Sequence, residues 1–476
     1  MLSQITMGLP SIVDLFSGCG GLSWGFKEER FPFAGCIDSN EEAIRTLRAN
    51  TSTHFLKGAL FEAGDIAVCD LAKYASASPR GSIVIGGPPC QAYSRVGRGK
   101  LRSLGDHRHH LKDSRGRLYE EFLNFALGLD ARAIVMENVL DSISYGGENI
   151  PEAICEDLGE CGYKAGWSVL NSADFGVPQV RERVILIAIR GDQGFFPKWP
   201  MPTHRPLSGY HVGTLGQLKA VIKGSSEHFI DPLGWDDALS EWVTVKEAFG
   251  DLPVLRNNAK ETYPLRRINE ELSYRTEPTN PFQRSMRSSN SSWKGTTGHI
   301  YRNTARDFEI FDRMLPGQNY IDASRIAEQL LAAACVRNGI DPVLNKTAYE
   351  HLRKKIVPPY NREKFDDKWK RLDPERPSRT VVAHLGVDTY SHIHPFEPRG
   401  ISIREAARLQ SFPDDFLFWG STGDAFKQIG NAVPPLLSQA IARTLSKQFL
   451  LNSITETPVT HVKPQSHTRR IGSHRA

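Results

Sequence analysis

The chain has 476 residues, 40% of them apolar and 24% charged, with a formal net charge of +5. That length predicts two or three domains with sizeable cores, and the near balance of charge excludes a histone-like polycation while leaving room for a local basic patch. No run of about 18 apolar residues occurs and the N-terminus lacks a charged leader, so neither a membrane span nor secretion is expected and the protein should be cytoplasmic. Seven cysteines, none in a C-x-x-C pair, provide neither a disulfide framework nor a structural zinc site.

The first ~190 residues alternate β-branched apolar runs with helical stretches, which predicts a mostly parallel α/β sheet. The expected strands are Ser11–Phe16, Phe33–Asp38, Ser82–Gly86, Ala131–Glu137, Gly166–Asn171 and Val184–Arg190. The last two are joined by a short turn-bearing loop and read as an antiparallel hairpin at the sheet's edge. From Phe195 to Arg371 the rhythm breaks into Pro-, Ser-, Asn- and Arg-rich sequence with scattered aromatics, a second domain of irregular architecture. Beyond it, Ile403–Gln410 and Pro434–Phe449 read as amphipathic helices. In the second, Leu437, Ile441, Leu445 and Phe449 share a face that should dock on the first domain. The expected division is therefore 1–194, 195–371, a segment 372–451 that returns to the first domain, and a basic tail 452–476 without fixed structure.

Four motifs carry chemistry. IVDLFSGCGGLSWGF (Ile12–Phe26) is a strand entering a glycine-rich turn and then a helix. Gly18, Gly20 and Gly21 let the backbone turn tightly against a ligand, and Asp38, ending the second strand, is placed to hydrogen-bond ribose hydroxyls. Ser23 stands where the dinucleotide fingerprint needs glycine, which weakens a nicotinamide-dehydrogenase reading; a turn kept for packing stays open as the plain alternative. SIVIGGPPCQAYS sets Cys90 just beyond a buried strand, followed by a basic segment to Arg117; positive surroundings favour the thiolate, the nucleophilic form. AIVMENV is a buried strand ending in Glu137 and Asn138, a carboxyl group able to hold or deliver a proton. QVRER places Arg181 and Arg183 two apart, hence on one side of a strand, where a guanidinium can reach the carbonyl oxygen of a bound base; singly, each could equally be a salt-bridged surface group. His107, His109 and His110 lack metal-ligand spacing and Cys155 and Cys161 read as packing residues, so no metal is expected.

A nucleophilic cysteine, a buried acid and an arginine at the mouth of one nucleoside-binding sheet suit attack on an electron-poor ring. At this point the chain closely resembles the DNA (cytosine-5) methyltransferases of the microbial restriction-modification type. The ordered blocks are DLFSGCGGLSWGF, the acid in CIDSNEEA, GDI, GGPPCQAYS, RGRLYEEF, MENV, QVRERV, REAARLQSFPDDF and IGNAVPP, spread over the first ~190 and last ~75 residues. The resemblance implies an α/β fold: a Rossmann-like methyltransferase sheet with an antiparallel edge hairpin, plus a smaller irregular target-recognition domain at 195–371. It implies S-adenosyl-L-methionine as cofactor, with Phe16 at the adenine, Gly18, Gly20 and Gly21 along the turn, Asp38 on the ribose, Asp65 and Ile66 at the adenine edge, and Leu118 and Asn431 completing the pocket.

For catalysis it implies that Cys90 adds to C6 of a cytosine flipped out of double-stranded DNA. Glu137 would support protonation at N3, Arg183 would hold O2, and Arg181 would line the same pocket. The basic segment Arg95–Arg117 would close over the flipped base. The basic stretch Arg256–Arg306, interleaved with Tyr263, Tyr274, Trp293 and Tyr301, would meet phosphates and base edges. A cognate restriction endonuclease acting on the same site and a monomeric state complete the expectations. The alternatives are a transfer-RNA methyltransferase with the same blocks and a non-catalytic DNA-binding relative, against which intact Cys90, Glu137 and Arg183 count.

Overall fold

A computed structural model describes residues 8–50, 58–89, 117–145, 147–210, 222, 226–262, 266–287, 294–360, 368–386 and 390–455. Its centre is a seven-stranded sheet built from β1 (Ser11–Leu15), β2 (Phe33–Asp38), β3 (Leu60–Ala63), β4 (Ser82–Gly86), β5 (Ala133–Asn138), β6 (Tyr163–Asn171) and β7 (Glu182–Arg190). The spatial order is β3-β2-β1-β4-β5-β7-β6, and β7 alone runs antiparallel to its neighbours. The hairpin is thus where the sequence placed it, with β6 at the rim and β7 inside. The four-residue strand β3 was not foreseen: it is short and only half-buried, so it lacks the long apolar run that marks a central strand. The order reverses between β1 and β4, and open α/β sheets bind their ligands at that switch point.

Strands β1, β4 and β5 are covered on both faces, because successive side chains point to opposite sides. Val13, Leu15, Val84, Ile134 and Met136 join one cluster with Phe122 and Leu123 of helix α4 (Arg117–Gly128) and Ile154 of α5 (Ile150–Glu160). Ile12, Ile83, Ile85 and Val135 join the other with Leu22 and Phe26 of α1 (Gly21–Glu28). Helices α2 (Glu41–Ala49) and α3 (Leu71–Ser76) connect the strands between.

The second face is completed from the far end of the chain. Leu437, Ile441, Leu445 and Phe449 of helix α13 (Pro435–Thr455) are all buried in that cluster, each contributing about 1.5–3 kcal/mol of apolar burial. Gly25 makes the approach feasible: a Cβ there would sit 2.2 Å from the Gln439 nitrogen and 2.4 Å from Ser438 Oγ. The helix continues to Thr455, so residues 452–455 are helical where a tail was expected; the remainder of that tail lies outside the described residues.

The middle stretch is irregular as far as residue 300. It holds the two-residue strands β8 (His204–Arg205), β9 (Ser240–Glu241), β10 (Leu272–Ser273) and β11 (Gly295–Thr296) with the short helices α6 (Val245–Phe249) and α7 (Pro281–Met286). Beyond that it is helical: α8 (Ala305–Arg313), α9 (Tyr320–Asn338) and α10 (Lys346–Ile356). Two cores organise it. One joins Val245, Phe249 and Phe282 to α11 (Ile403–Leu409) and α12 (Thr422–Asn431). The other packs Phe308, Phe311 and Tyr320 on Trp369, Tyr390 and Ile393, with the Phe311 ring centroid 5.0 Å from that of Trp369 and 4.7 Å from that of Tyr390. Among the described residues no helix is long and apolar enough to cross a membrane.

Candidate active site

The glycine-rich turn leaves β1 through Phe16, whose backbone is left-handed at φ 58°, followed by Gly18 at φ 53° and Gly20 at φ 90°. A Cβ added to Gly18 would meet nothing within 4 Å, so the turn borders open space, whereas one on Gly21 would lie 2.3 Å from the Val433 carbonyl oxygen. Asp38, at the end of β2, accepts hydrogen bonds from Gly18 N at 2.8 Å and Asn40 N at 2.7 Å. Burial raises its pKa; the two N–H donors and the charge of Lys427 on α12 oppose the shift.

Asp65 caps a 3-10 turn by accepting from Ala67 N at 3.0 Å, and Ile66 is buried in the cluster that includes Tyr119 and Phe122 of α4. Leu118 lies half-buried in the first turn of α4, and Asn431 is exposed at the end of α12. Phe16, Gly18, Gly20, Asp38, Asp65, Ile66 and Leu118 therefore flank the carboxyl ends of β1, β2 and β3, and α12 brings Asn431 in from the other end of the chain. The open cradle at Gly18 and a carboxylate among N–H donors suit a nucleoside with a charged tail.

Beneath the turn lies a pair without an assigned role in the sequence reading. Ser23 Oγ donates to Asp14 Oδ2 at 2.5 Å, and Asp14 Oδ1 is buried without a partner among the described residues. Burial pushes the Asp14 carboxyl from 3.8 to about 7; the Ser23 hydrogen bond works against this and the Asp38 charge adds to it. Ser23, where a dinucleotide fold has glycine, was the available signal.

The second half of the site lies at the ends of β4, β5 and β7. Cys90 and the basic segment after it fall outside the described residues, as do His107, His109 and His110, but the approach to Cys90 is fixed as far as Pro89. A Cβ on Gly87 would meet Glu137 Oε2 at 3.2 Å. Asn138 Nδ2 donates to the Pro88 carbonyl at 3.2 Å, while its Oδ1 accepts from Val139 N at 2.8 Å. The asparagine of the MENV block thus ties the proline turn to the strand that carries Glu137.

Glu137 is 9% exposed, and its Oε1 lies 3.0 Å from Arg183 Nε. Among the described residues, both atoms are nevertheless buried without a properly directed hydrogen bond. Unsatisfied polar atoms at that depth are costly in a folded protein, and a planar polar ligand would satisfy them.

Arg181 departs from expectation. It precedes β7, is 2% exposed, and donates to the carbonyls of Val381 at 3.0 Å and Gly430 at 3.3 Å. Burial, then the neighbouring Arg183, pulls its pKa down to about 9. With its terminal nitrogens on backbone carbonyls, Arg181 is a strut between the hairpin and the C-terminal segment, while its Nε is buried without a partner among the described residues and its charged neighbours are Arg183 and Glu137. Gln179 extends the strut, donating to Leu409 O and Gln410 Oε1 and accepting from Val381 N at 2.6 Å.

Among the described residues one His/acid cluster, His394 with Glu397 and Glu405, has the spacing of a metal site. His394 Nδ1 accepts from the backbone nitrogens of Phe396 and Glu397, so Nε2 carries the proton. Both carboxylates are bound to Arg399. The cluster is internally paired and has no free ligand atom set.

A family model of the C-5 cytosine-specific DNA methylases matches residues 11–447. The chain is 47% identical over 449 residues to a protein of Oceanobacillus iheyensis named provisionally as a type II methyltransferase, covering 93% of this chain and 96% of that one. It is 29% identical over 462 residues to the type II methyltransferase M.AgeI of Thalassovita gelatinovora, covering 91% and 98%. Among solved structures, an E. coli prophage-encoded protein described provisionally as a DNA modification methyltransferase shares the fold, with a TM-score of 0.61 at 21% identity over 93% of this chain and 99% of that one. The family match spans the sheet, the middle stretch and the returning helices, and it settles the identity: the chain belongs to the C-5 cytosine-specific DNA methylases, which take their methyl group from S-adenosyl-L-methionine.

Proposed function

We propose that this enzyme methylates C5 of a cytosine flipped out of a short, specific sequence in double-stranded DNA, as the modification half of a restriction-modification pair. The observation that carries the reading is the Glu137–Arg183 pair, buried and incompletely bonded beside the proline turn that leads to Cys90. A cytosine edge presents a ring nitrogen and a carbonyl oxygen side by side, which complements one carboxyl and one guanidinium. Bound S-adenosyl-L-methionine supplies an electrophilic methyl group on a positively charged sulfur. Phe16, Gly18, Gly20, Gly21, Asp38, Asp65, Ile66, Leu118 and Asn431 would hold it.

C5 of cytosine is a poor nucleophile. The Cys90 thiolate adds to C6, forming a carbon–sulfur bond, while Glu137 holds a proton at N3 and Arg183 holds O2, so that the ring's electrons become available at C5. Once C5 is alkylated, its proton leaves to water or a base and the bond to Cys90 breaks. Extrusion of the base costs a few kcal/mol in unstacking, which contacts to DNA must offset. The residues at 195–371 act as the target-recognition domain in this reading, and those from 372 to 451 rejoin the catalytic sheet. The same reading takes the enzyme as cytoplasmic and monomeric, with an endonuclease acting on the same site; the type II names of the relatives support the restriction-modification setting alone.

The test is a duplex carrying 5-fluorocytosine at the target position. The C5 fluorine cannot leave as a proton does, so a covalent adduct should accumulate with wild-type enzyme and be absent in Cys90→Ser. Methyl transfer to transfer RNA with none to duplex DNA would overturn the substrate, and binding without any adduct would point to a non-catalytic relative.

A further inference from the structure

The arm formed by α9 and α10 has a use that the active site does not account for. Helix α10 buries none of its eleven residues. At 100° per residue, Lys346, Thr347, Glu350, His351, Lys354 and Lys355 cover one half of its circumference, and all six are exposed. The opposite arc, Tyr349, Leu352, Arg353 and Ile356, is half-buried, and Arg353 is clamped to Glu328 of α9 by two hydrogen bonds of 2.9 and 2.7 Å.

Charge on the arm is unbalanced. Arg325 pairs with Asp322 and Arg353 with Glu328, and Asp341 is engaged by the backbone nitrogens of Val343 and Leu344. Among the described residues this leaves Arg337, Lys346, Lys354 and Lys355 without an acidic partner, against the single free carboxylate of Glu350. The tip is apolar and open: Val336 and Val343 are each 84% exposed and Leu344 83%. Val336 also borders a groove of about 500 Å³ between the helices, lined by Leu331, Cys335, Ile340, Pro342 and Tyr349.

We infer that α10 is the element that enters a groove of the substrate duplex and contributes to its sequence choice. Lys346, Lys354 and Lys355 neutralise phosphates, Thr347, Glu350 and His351 face base edges, and Val343 and Leu344 rest against the sugars and bases at the tip. A helix of this length spans about 16 Å and its diameter fits a major groove about 12 Å wide. Four unpaired cations around an otherwise polar surface complement a polyanion, and wedge-like apolar residues recur where proteins lean on DNA. The inference rests on duplex DNA as the substrate.

The experiment compares wild type with the triple variant Lys346→Ala/Lys354→Ala/Lys355→Ala. The slope of log Kd against log salt on target duplex should weaken by about 2.7, about 0.9 for each lost phosphate contact. In Glu350→Ala/His351→Ala, bisulfite mapping should show methylation spreading to neighbouring sequence contexts. Because these side chains are exposed, thermal melting of both variants should match wild type. An unchanged salt slope with unchanged sequence context overturns the inference. So does a Val343→Ser/Leu344→Ser variant that keeps its DNA slope but turns a dimer into a monomer on sedimentation, since the tip would then be covered by a second copy of this chain. Either result would leave the 5-fluorocytosine adduct of the wild type intact, which separates failure here from failure of the catalytic reading.

Discussion

Two stretches of this protein are rich in cations and use them in opposite ways. Of the ten cations from Arg256 to Arg306, six are engaged internally. Arg256 is buried, bonded to the Ala259 carbonyl and stacked over Phe308; Arg266 meets Glu270; Arg275 bonds Gly250 O; Arg287 binds Asp251; Arg302 lies over Tyr390; and Arg306 binds Asp307. Tyr274 donates to Asp414, and Tyr301 is buried. On α10, by contrast, the three lysines face outward and form no ion pair among the described residues, with Glu350 the one acid on that face. The count of basic residues is similar in kind, but only the second stretch leaves its charge available to a polyanion. The difference lies in partners: Glu270 and Asp307 sit close in sequence to the arginines they bind, while Asp251, Phe308 and Tyr390 are brought to theirs by the fold.

The largest effect should come from the hub of the buried network. Arg408 is fully buried, with Asp251 Oδ1 and Asp414 Oδ1 each at 2.7 Å, and it joins α11 to the segment after α6. Arg408→Ala leaves Asp251 to Arg287 and Asp414 to the Tyr274 hydroxyl, removes the bonds that join them, and should destabilise the fold by about 3–5 kcal/mol, read as a shifted denaturant midpoint; a loss below 1 kcal/mol would remove the contrast. Arg287→Ala is expected to lose less, about 1–3 kcal/mol, because Arg408 still serves Asp251. The α10 triple variant should stay within about 0.5 kcal/mol of wild type while its DNA binding changes, and a stability loss comparable to Arg287→Ala would mean that the helix is structural.

A further effect appears only when pH is varied and concerns the buried acid under the glycine turn. The folded state holds the Asp14 proton up to about pH 7, whereas its ordinary value is 3.8. Between those values the native protein keeps a proton that the unfolded chain has released, so this group's contribution to stability falls as pH rises through that window and is level above it. Asp14→Asn should flatten that part of the stability profile between pH 5 and 7, measured by denaturant midpoints; an unchanged slope would show that Asp14 titrates alike in both states.

Much of the site was legible because its residues stand at strand ends, where alternating burial and turn glycines mark position directly. Asp38, Glu137 and Arg183 are read from such local patterns. Arg181 was not, since spacing gives the side of a strand and not the partner: its carbonyl acceptors lie 200 and 249 residues further on. The Gln179–Gln410 bond spans 231 residues and escapes any local pattern for the same reason. Helix α10 was passed over because its apolar stripe is narrow, only Tyr349, Leu352 and Ile356 in an otherwise polar stretch.

The packing of α13 on α1 also governs when the enzyme comes into being. Ser438 Oγ donates to the Leu22 carbonyl, and Gly25 admits the backbone of Ser438 and Gln439, so the helix that follows the glycine turn packs on the sheet but lacks its α13 cover until residues some 410 positions later have been made. During synthesis at about 5–20 residues per second the cofactor loop would wait tens of seconds for its cover. A ribosome that stalls before Thr422 would release a sheet without α12 and α13, exposing apolar surface to proteolysis. Activity is thereby tied to completion of the chain, and a nascent fragment carrying every block up to QVRER would still lack a finished site.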